Sequence, residues 1–292
     1  MTTSPAPVVV GVDGSSSALD AVAWAAREAE RHRLPLRLVH ALLVPVGGYP
    51  EILVAEAEVR QALENQAEVW LKAAEDAARA VAPSVEVASA VVSGAVVPVL
   101  VEESRRARLV ALGSQGLGGF TGLLVGSAAV GLSAHGVCPV VVVRGTSSTD
   151  GPVVVGVDGS PASEAAIAFA FDAASTRGAP LTAVMTWTDF VVDSPYDEAR
   201  PAIDWEQVEE SERRLLAQRL AGWQEKYPDV HVDRVVVRDR PVRALLGLAE
   251  GARLLVVGSR GHGGFTGMLL GSTSQALVYH APCPLAVVRP TS

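Results

Sequence analysis

The sequence predicts an α/β protein built from two tandem copies of a five-stranded parallel sheet flanked by helices. Three observations predict it. Landmarks recur at one spacing of 145 residues: VVVGVDGS at Val8–Ser15 returns at Val153–Ser160, GSQGLGGFTGLLVGS at Gly113–Ser127 returns as GSRGHGGFTGMLLGS at Gly258–Ser272, and His135-x-x-Cys138-Pro139 returns as His280-x-x-Cys283-Pro284. A constant offset between landmarks so far apart marks duplicated domains rather than a short-period solenoid. Within each copy, short Val- and Leu-rich runs alternate with longer segments of helical period. The length of 292 residues suits two domains, and 49% apolar residues with only 5% aromatics require an aliphatic core. The expected domains are 1–145 and 152–292, joined by the polar stretch Gly145-Thr-Ser-Ser-Thr-Asp-Gly151-Pro152.

In the first copy, Val8–Val12 is a wholly apolar β-branched run, as expected of a strand buried on both faces. Ser15–Ser17 supply a cap for a helix running to about His32, with Leu19, Val22 and Ala26 on its apolar side. Leu36–Val44 is the second strand. Ala55–Val81 carries Val59, Leu63, Trp70, Ala74, Ala77 and Val81 at helical spacing. Val85–Val92 is the third strand, Val96–Arg106 the third helix and Leu109–Leu112 the fourth strand. A glycine-rich loop leads to a short helix, Ser127–Ala134, and a fifth strand, Val140–Val143. The second copy repeats the strands at Val153–Val157, Leu181–Met185, Val232–Val237, Leu254–Val257 and Leu285–Val288. Strands separated by helices imply right-handed crossovers and a sheet covered on both faces. In such sheets ligands sit beyond the carboxyl ends of the strands, where the strand order reverses.

Charge excludes one class of function. Lys plus Arg number 24 against 32 Asp plus Glu, a net charge of −8, and the balance is acidic in both halves (11 basic and 14 acidic through Thr146, 13 and 18 after it). No basic stripe is left to contact a phosphate backbone, so no nucleic-acid partner is expected. Two cysteines make neither a disulfide framework nor a metal cluster. The opening MTTSPAPVVVGVDGS lacks a charged segment followed by an apolar one, and the longest apolar runs fall far short of the roughly 18 residues of a membrane span. A soluble, cytoplasmic protein without membrane insertion is expected.

The strand ends carry the specific signal. Asp13 and Asp158 each follow the first strand of their copy. A carboxylate there can accept hydrogen bonds from ribose hydroxyls or an exocyclic amine, or it can simply cap the following helix; both readings are open. The fourth strand runs into Gly113-x-x-Gly116, nine residues, then Gly126-Ser127, and its counterpart is Gly258-x-x-Gly261, nine residues, then Gly271-Ser272. Glycines let backbone amides approach a ligand, and the helix opening at Ser127 turns its free N–H groups and positive dipole end toward whatever the loop encloses. The pattern reads as an anion cradle for phosphates. A P-loop is excluded, since the two lysines, Lys72 and Lys226, fall in the second helix of each copy. The dinucleotide fingerprint is also missing after the first strand, which reads Gly11-Val-Asp-Gly14. Charge neutralisation then falls to backbone amides and Ser hydroxyls, with bound Mg²⁺ as an additional source.

In these residues both halves resemble the universal stress protein family in its ATP-binding form, whose mark is a leading Asp and G-2x-G-9x-G-(S/T) before the last strand. The resemblance covers nearly all of both halves and is of the tandem kind common in actinobacteria. It implies a Rossmann-like fold of the adenine-nucleotide alpha-hydrolase type, with one ATP in each domain. The adenine pocket it implies lies at Asp13 with Ala41 and at Asp158 with Thr186. Ribose and phosphate contacts are implied for Gly113, Ser114, Gly116, Gly126 and Ser127, and for Gly258, Ser259, Gly261, Gly271 and Ser272. Gly11, Gln115, Leu117, Gly118 and Gly119 complete the first candidate site; Gly156, Arg260, His262, Gly263, Gly264 and Thr273 complete the second. The resemblance further implies that the halves pair through Val140–Val143 and Leu285–Val288, and that whole chains form a homodimer.

Where the first copy has Gln115 and Leu117, the second has Arg260 and His262. If these side chains face a triphosphate, the second site binds ATP more tightly; the alternative is that they face solvent. His135 and His280 fit a helix C-terminus better than catalysis, and Cys138 and Cys283 read as small apolar filler. Trp187, Asp189, Asp193 and Tyr196 lie in a stretch that the first copy lacks in that form, either a lid or partner surface or a solvated loop. Glu209–Arg214 reads as an exposed helix face. The function expected is a nucleotide-dependent regulator in stress or growth control. The alternatives are a slow ATPase or phosphotransferase, and a scaffold whose loops bind nothing.

Overall fold

In a computed structural model, the described residues are 5–44, 53–117, 125–145, 148–187, 204–262 and 269–290. The chain divides into two compact units, Met1–Arg144 and Gly145–Ser292. In the first, β1 (Val8–Gly11), α1 (Ser16–His32), β2 (Leu36–Leu42), α2 (Leu53–Val81), β3 (Val87–Ser93), α3 (Val96–Ser104), β4 (Leu109–Gly113), α4 (Ser127–His135) and β5 (Val140–Val143) follow in order. Its strands are parallel and ordered β3-β2-β1-β4-β5. In the second, β6 (Val153–Val157), α5 (Pro161–Arg177), β7 (Leu181–Trp187), α6 (Trp205–Lys226), β8 (Val232–Arg238), α7 (Pro241–Leu248), β9 (Leu254–Gly258), α8 (Ser272–His280) and β10 (Leu285–Val288) give the order β8-β7-β6-β9-β10.

Even the register repeats. Val8 pairs with Leu36 and Leu109, and Val153 with Leu181 and Leu254. Val8, Val9 and Val10 are fully buried, as are Val153, Val154 and Val155. Each such valine contributes about 1.5–3 kcal/mol by burial, which is why these runs form central strands. Side chains on β2 show that both faces are covered. Arg37 reaches Glu103 of α3 through two hydrogen bonds of 2.8 and 2.9 Å, whereas His40, three residues on and so on the opposite face, meets Trp70 of α2 with ring centres 5.3 Å apart and planes tilted by 58°.

Helix α1 starts at Ser15, whose Oγ accepts from the Ala18 amide at 3.1 Å, and buries Ala18, Ala21, Val22, Ala25 and Ala29. It stops at Arg33, which takes the left-handed conformation with φ 53°; the matching position in the second unit is Gly178, φ 57°. An L side chain there costs about 1–2 kcal/mol, a strain that glycine escapes.

Strand β2 ends at Leu42 rather than Val44, and β3 spans Val87–Ser93 rather than Val85–Val92. Two further boundaries shift for physical reasons visible in side-chain contacts. Strand β7 runs on to Trp187 rather than ending at Met185, because Trp187 stacks on Trp205 at 5.6 Å and the Arg238 guanidinium lies 4.6 Å from the Trp205 ring centre, tying three element ends together. Helix α3 ends at Ser104 rather than Arg106, where Ser104 Oγ donates to the Val101 carbonyl at 2.6 Å and accepts from the Val137 amide at 2.9 Å. Among the described residues no helix is long and apolar enough to cross a membrane.

Candidate functional site

The strand order reverses between β1 and β4, so the crevice beyond their carboxyl ends is the place this architecture offers a ligand. The first unit holds a cavity of about 430 Å³ there. Val39, Val96, Leu100, Leu112 and Val125 give it apolar walls, while Asp13 and the loop residues Gly113, Gln115, Gly116, Gly126 and Ser127 form its polar rim. Gly11 and Ala41 also line it. Size and composition are those of a small-molecule site.

Asp13 is not the helix cap. Ser15 holds that position, and Asp13 instead ties the first turn to the glycine loop. Its Oδ1 accepts from the Ser15 amide at 3.0 Å and the Ser15 hydroxyl at 2.7 Å, and its Oδ2 accepts from the Leu117 amide at 3.2 Å. Asp158 does the same, accepting from the Ser160 amide at 2.9 Å and the His262 amide at 3.3 Å. A carboxylate has about four acceptor positions, so each retains capacity toward the crevice. A Cβ on Gly116 would lie 2.6 Å from Asp13 Oδ2, and Gly261 stands against Asp158 Oδ2 in the same way.

The glycines of the loop do different work. At Gly113 a Cβ would lie 2.6 Å from the Ser17 carbonyl carbon, and at Gly258 2.8 Å from that of Ala162, so both are demanded by backbone packing. Gly126 and Gly271 are demanded by neither packing nor backbone. Their φ values are −60° and −70°, open to any residue, and the nearest atom to a Cβ would be 3.8 Å away at Gly126 and 3.4 Å at Gly271. What glycine does there is leave a helix start bare. Neither α4 nor α8 has a side-chain cap, and α3 and α7 lack one too, whereas Ser15, Ser160 and Asp204 cap α1, α5 and α6; α4 and α8 differ in starting on a glycine at the mouth of the loop. The first intrahelical bonds of α4 go from the Ala129 and Val130 amides to Gly126 O, leaving the Ser127 and Ala128 amides ahead of the ladder. Ser127 and Ser272 are the first residues of their helices, and Thr273 is the second residue of α8. This is the arrangement that receives an anion.

Other sequence-predicted residues fall around this frame. Ser114 and Ser259 lead the loops; the Ser259 hydroxyl is fully buried and has no hydrogen-bond partner among the described residues. A Cβ on Gly156 would lie 3.2 Å from the Leu245 side chain, and Thr186 occupies in β7 the place that Ala41 has in β2. Gly118, Gly119, Gly263, Gly264, Asp189, Asp193 and Tyr196 lie outside the described residues. His135 and His280 end α4 and α8. Burial pushes the Cys138 and Cys283 thiols up to about 12, as suits structural filler. Neither lysine reaches the cradle: Lys72 pairs with Asp76 at 2.9 Å, and Lys226 lies over Trp223 at 5.1 Å. Among the described residues no three of His, Cys, Asp or Glu converge on a metal position.

Sequence reasoning missed Ser17, whose Oγ accepts from the Gln115 amide at 3.3 Å, and Arg289, whose guanidinium donates to the Leu269 carbonyl at 3.1 Å beside the second loop. Burial holds the guanidinium pKa values of both Arg289 and its counterpart Arg144 below the usual range. The spacing of 145 residues that links them was a signal available in the sequence. The apolar cavity walls offered none, because a wall residue and a core residue look alike in sequence.

Known proteins share the sequence pattern and the fold. The family model "Universal stress protein family" matches residues 6–144 and again 151–289. A universal stress protein of Mycobacterium tuberculosis strain H37Rv is 43% identical over 291 residues, spanning 97% of this chain and 96% of its own. A universal stress protein of Mycolicibacterium smegmatis is 43% identical over 293 residues, spanning 97% of each. Among solved structures, a universal stress protein from Archaeoglobus fulgidus shares the fold, with a TM-score of 0.68 at 17% identity over 98% of this chain and 99% of its own. The chain belongs to the universal stress protein family and carries that family's domain twice.

Proposed function

We propose that each unit binds an adenine nucleotide, ATP above all, and that occupancy makes the protein a nucleotide-dependent regulator. The observation that carries this reading is the bare start of α4 and α8. A glycine that neither φ nor packing requires stands there, before amides that no side chain caps. A phosphate group satisfies such amides and gains from the helix dipole.

The remainder of the crevice suits a purine. Strand β1 ends at Gly11, and the Val12 amide takes the last ladder bond, to the Val39 carbonyl at 2.9 Å. Two residues further along β2, the N–H and C=O of Ala41 turn to the same side, past the end of β1, and offer one donor and one acceptor beside apolar walls. An amino-purine edge presents the complementary pair. With both lysines occupied elsewhere, backbone amides carry the grip, which favours binding over rapid turnover.

Calorimetric titration with ATP tests this directly. Wild type is expected to take up about two equivalents per chain. The double variant Gly126→Asp/Gly271→Asp is expected to take up none, although a Cβ fits at both positions and its thermal midpoint should not fall. Absence of uptake by folded wild type at millimolar ATP, ADP and AMP overturns the proposal.

A further inference from the structure

The amide cradle is the same in both units, but the side chains at its mouth are not. In the second unit Arg260 sits against the start of α8: a Cβ on Gly271 would lie 3.4 Å from the Arg260 Cα, and the Arg260 carbonyl accepts from the Ser160 hydroxyl at 3.2 Å. The Arg260 side chain is exposed, and among the described residues it has no carboxylate partner. Arg289 approaches the same place from the end of β10, its guanidinium anchored on Leu269 O at 3.1 Å. Burial depresses the Arg289 pKa, and the neighbouring Arg260 charge depresses it further, so the two guanidinium groups feel one another. Two cations beside the positive end of a helix, which has no acidic residue in its first turn, repel each other in the free protein. Arg289 anchors to the loop backbone, and Arg260 is left as the group free to meet an anion.

The first unit lacks this arrangement. Arg144 matches Arg289, but Gln115 stands in place of Arg260, and Leu117, 60% exposed, in place of His262. The two sites therefore present the same amides; besides the changes Leu117 to His262, Ala41 to Thr186 and Ala128 to Thr273, the second carries a guanidinium beside the cradle that the first lacks. The part of a nucleotide that reaches beyond the first phosphate is the part that this guanidinium can read.

Resting on the adenine-nucleotide reading above, we propose that Arg260 is a specificity-determining residue that makes the second unit's site select nucleoside triphosphates over monophosphates, and that the first unit's site, with Gln115, discriminates far less. Arg289 and Arg144, present in both units, set a common background and not the difference.

The experiment isolates one site at a time. In the Gly126→Asp protein only the second cradle remains, and in Gly271→Asp only the first. Calorimetry at fixed ionic strength gives the dissociation constants of ATP and AMP for each, and again after adding Arg260→Gln to the former and Gln115→Arg to the latter. The Gly126→Asp protein should prefer ATP over AMP by a factor about tenfold or more above that of the Gly271→Asp protein. Arg260→Gln should weaken ATP about tenfold and leave AMP within about twofold, while Gln115→Arg should strengthen ATP alone. If both nucleotides bind and Arg260→Gln leaves their ratio unmoved, or weakens both equally, this inference falls while the nucleotide reading stands. If wild type binds neither, both fall together.

Discussion

The two units are a controlled comparison within one chain. Strand register, the Asp-to-loop hydrogen bonds and the positive φ of Gly14 and Gly159, 85° and 80°, repeat position by position. The side chains supporting them diverge. Trp70 leans on Gly14 in the first unit, whereas Arg219 and His262 each come within 3.4 Å of where a Cβ on Gly159 would be. The Arg37–Glu103 ion pair of the first unit is replaced by Thr182 and Leu248 in the second. What both units keep is the placement of main-chain groups, and what differs is the chemistry of the rim. Under the nucleotide proposal, a site built from amides tolerates such drift, because no single side chain carries the grip.

Three measurements break or sharpen the comparison. The largest effect concerns the cysteines, where the halves should behave alike despite Cys138 being only partly buried and Cys283 wholly so. With both thiols pushed up to about 12, the thiolate is the rare form at pH 8 and grows only as pH climbs toward that value. Alkylation of the native protein by iodoacetamide should therefore run about a thousandfold slower than for a free cysteine, and unfolding in guanidinium should release it. Fast labelling of Cys138 alone would end the equivalence.

Next is the contrast between two glycines of one loop. Gly113→Ala drives a methyl group toward the Ser17 carbonyl, 2.6 Å away, and should destabilise the first unit by about 2–3 kcal/mol in urea titration. Gly126→Ala meets nothing within 3.8 Å and should change stability by under about 1 kcal/mol. Equal losses would show that the loop does not separate packing glycines from clearance glycines.

The smallest effect uses the second unit as a template for the first. Arg33 holds the left-handed position that Gly178 holds in its own copy. Arg33→Gly should raise stability by about 0.5–1 kcal/mol, the relieved strain exceeding the added chain entropy of glycine. A loss on calorimetric melting would mean that the Arg33 side chain contributes more than its backbone costs.

Much of this was legible in the sequence, for reasons visible in particular residues. Val8–Val10 and Val153–Val155 announced central strands because burial on both faces admits nothing polar. Gly113 and Gly126 announced the cradle because a missing Cβ leaves the same mark in sequence whether clearance is for protein or for ligand. Sequence did not separate those two purposes; only neighbouring atoms do. Nor did it show that Asp13 grips the Leu117 amide, a contact across 104 positions. The extension of β7 to Trp187 was likewise hidden, because the Trp205 and Arg238 that hold it are far along the chain. Tertiary partners of single side chains have no local period to betray them.

If the bare helix starts hold a nucleotide as proposed, occupancy is linked to the lifetime of the chain. With the cradle filled at a hundred times the dissociation constant, mass action adds about 2.7 kcal/mol to the folded state of that unit, and draining the pool removes it. Proteases that capture transiently opened molecules would then clear starved protein faster than supplied protein. Cellular abundance would follow nucleotide supply with no change in synthesis.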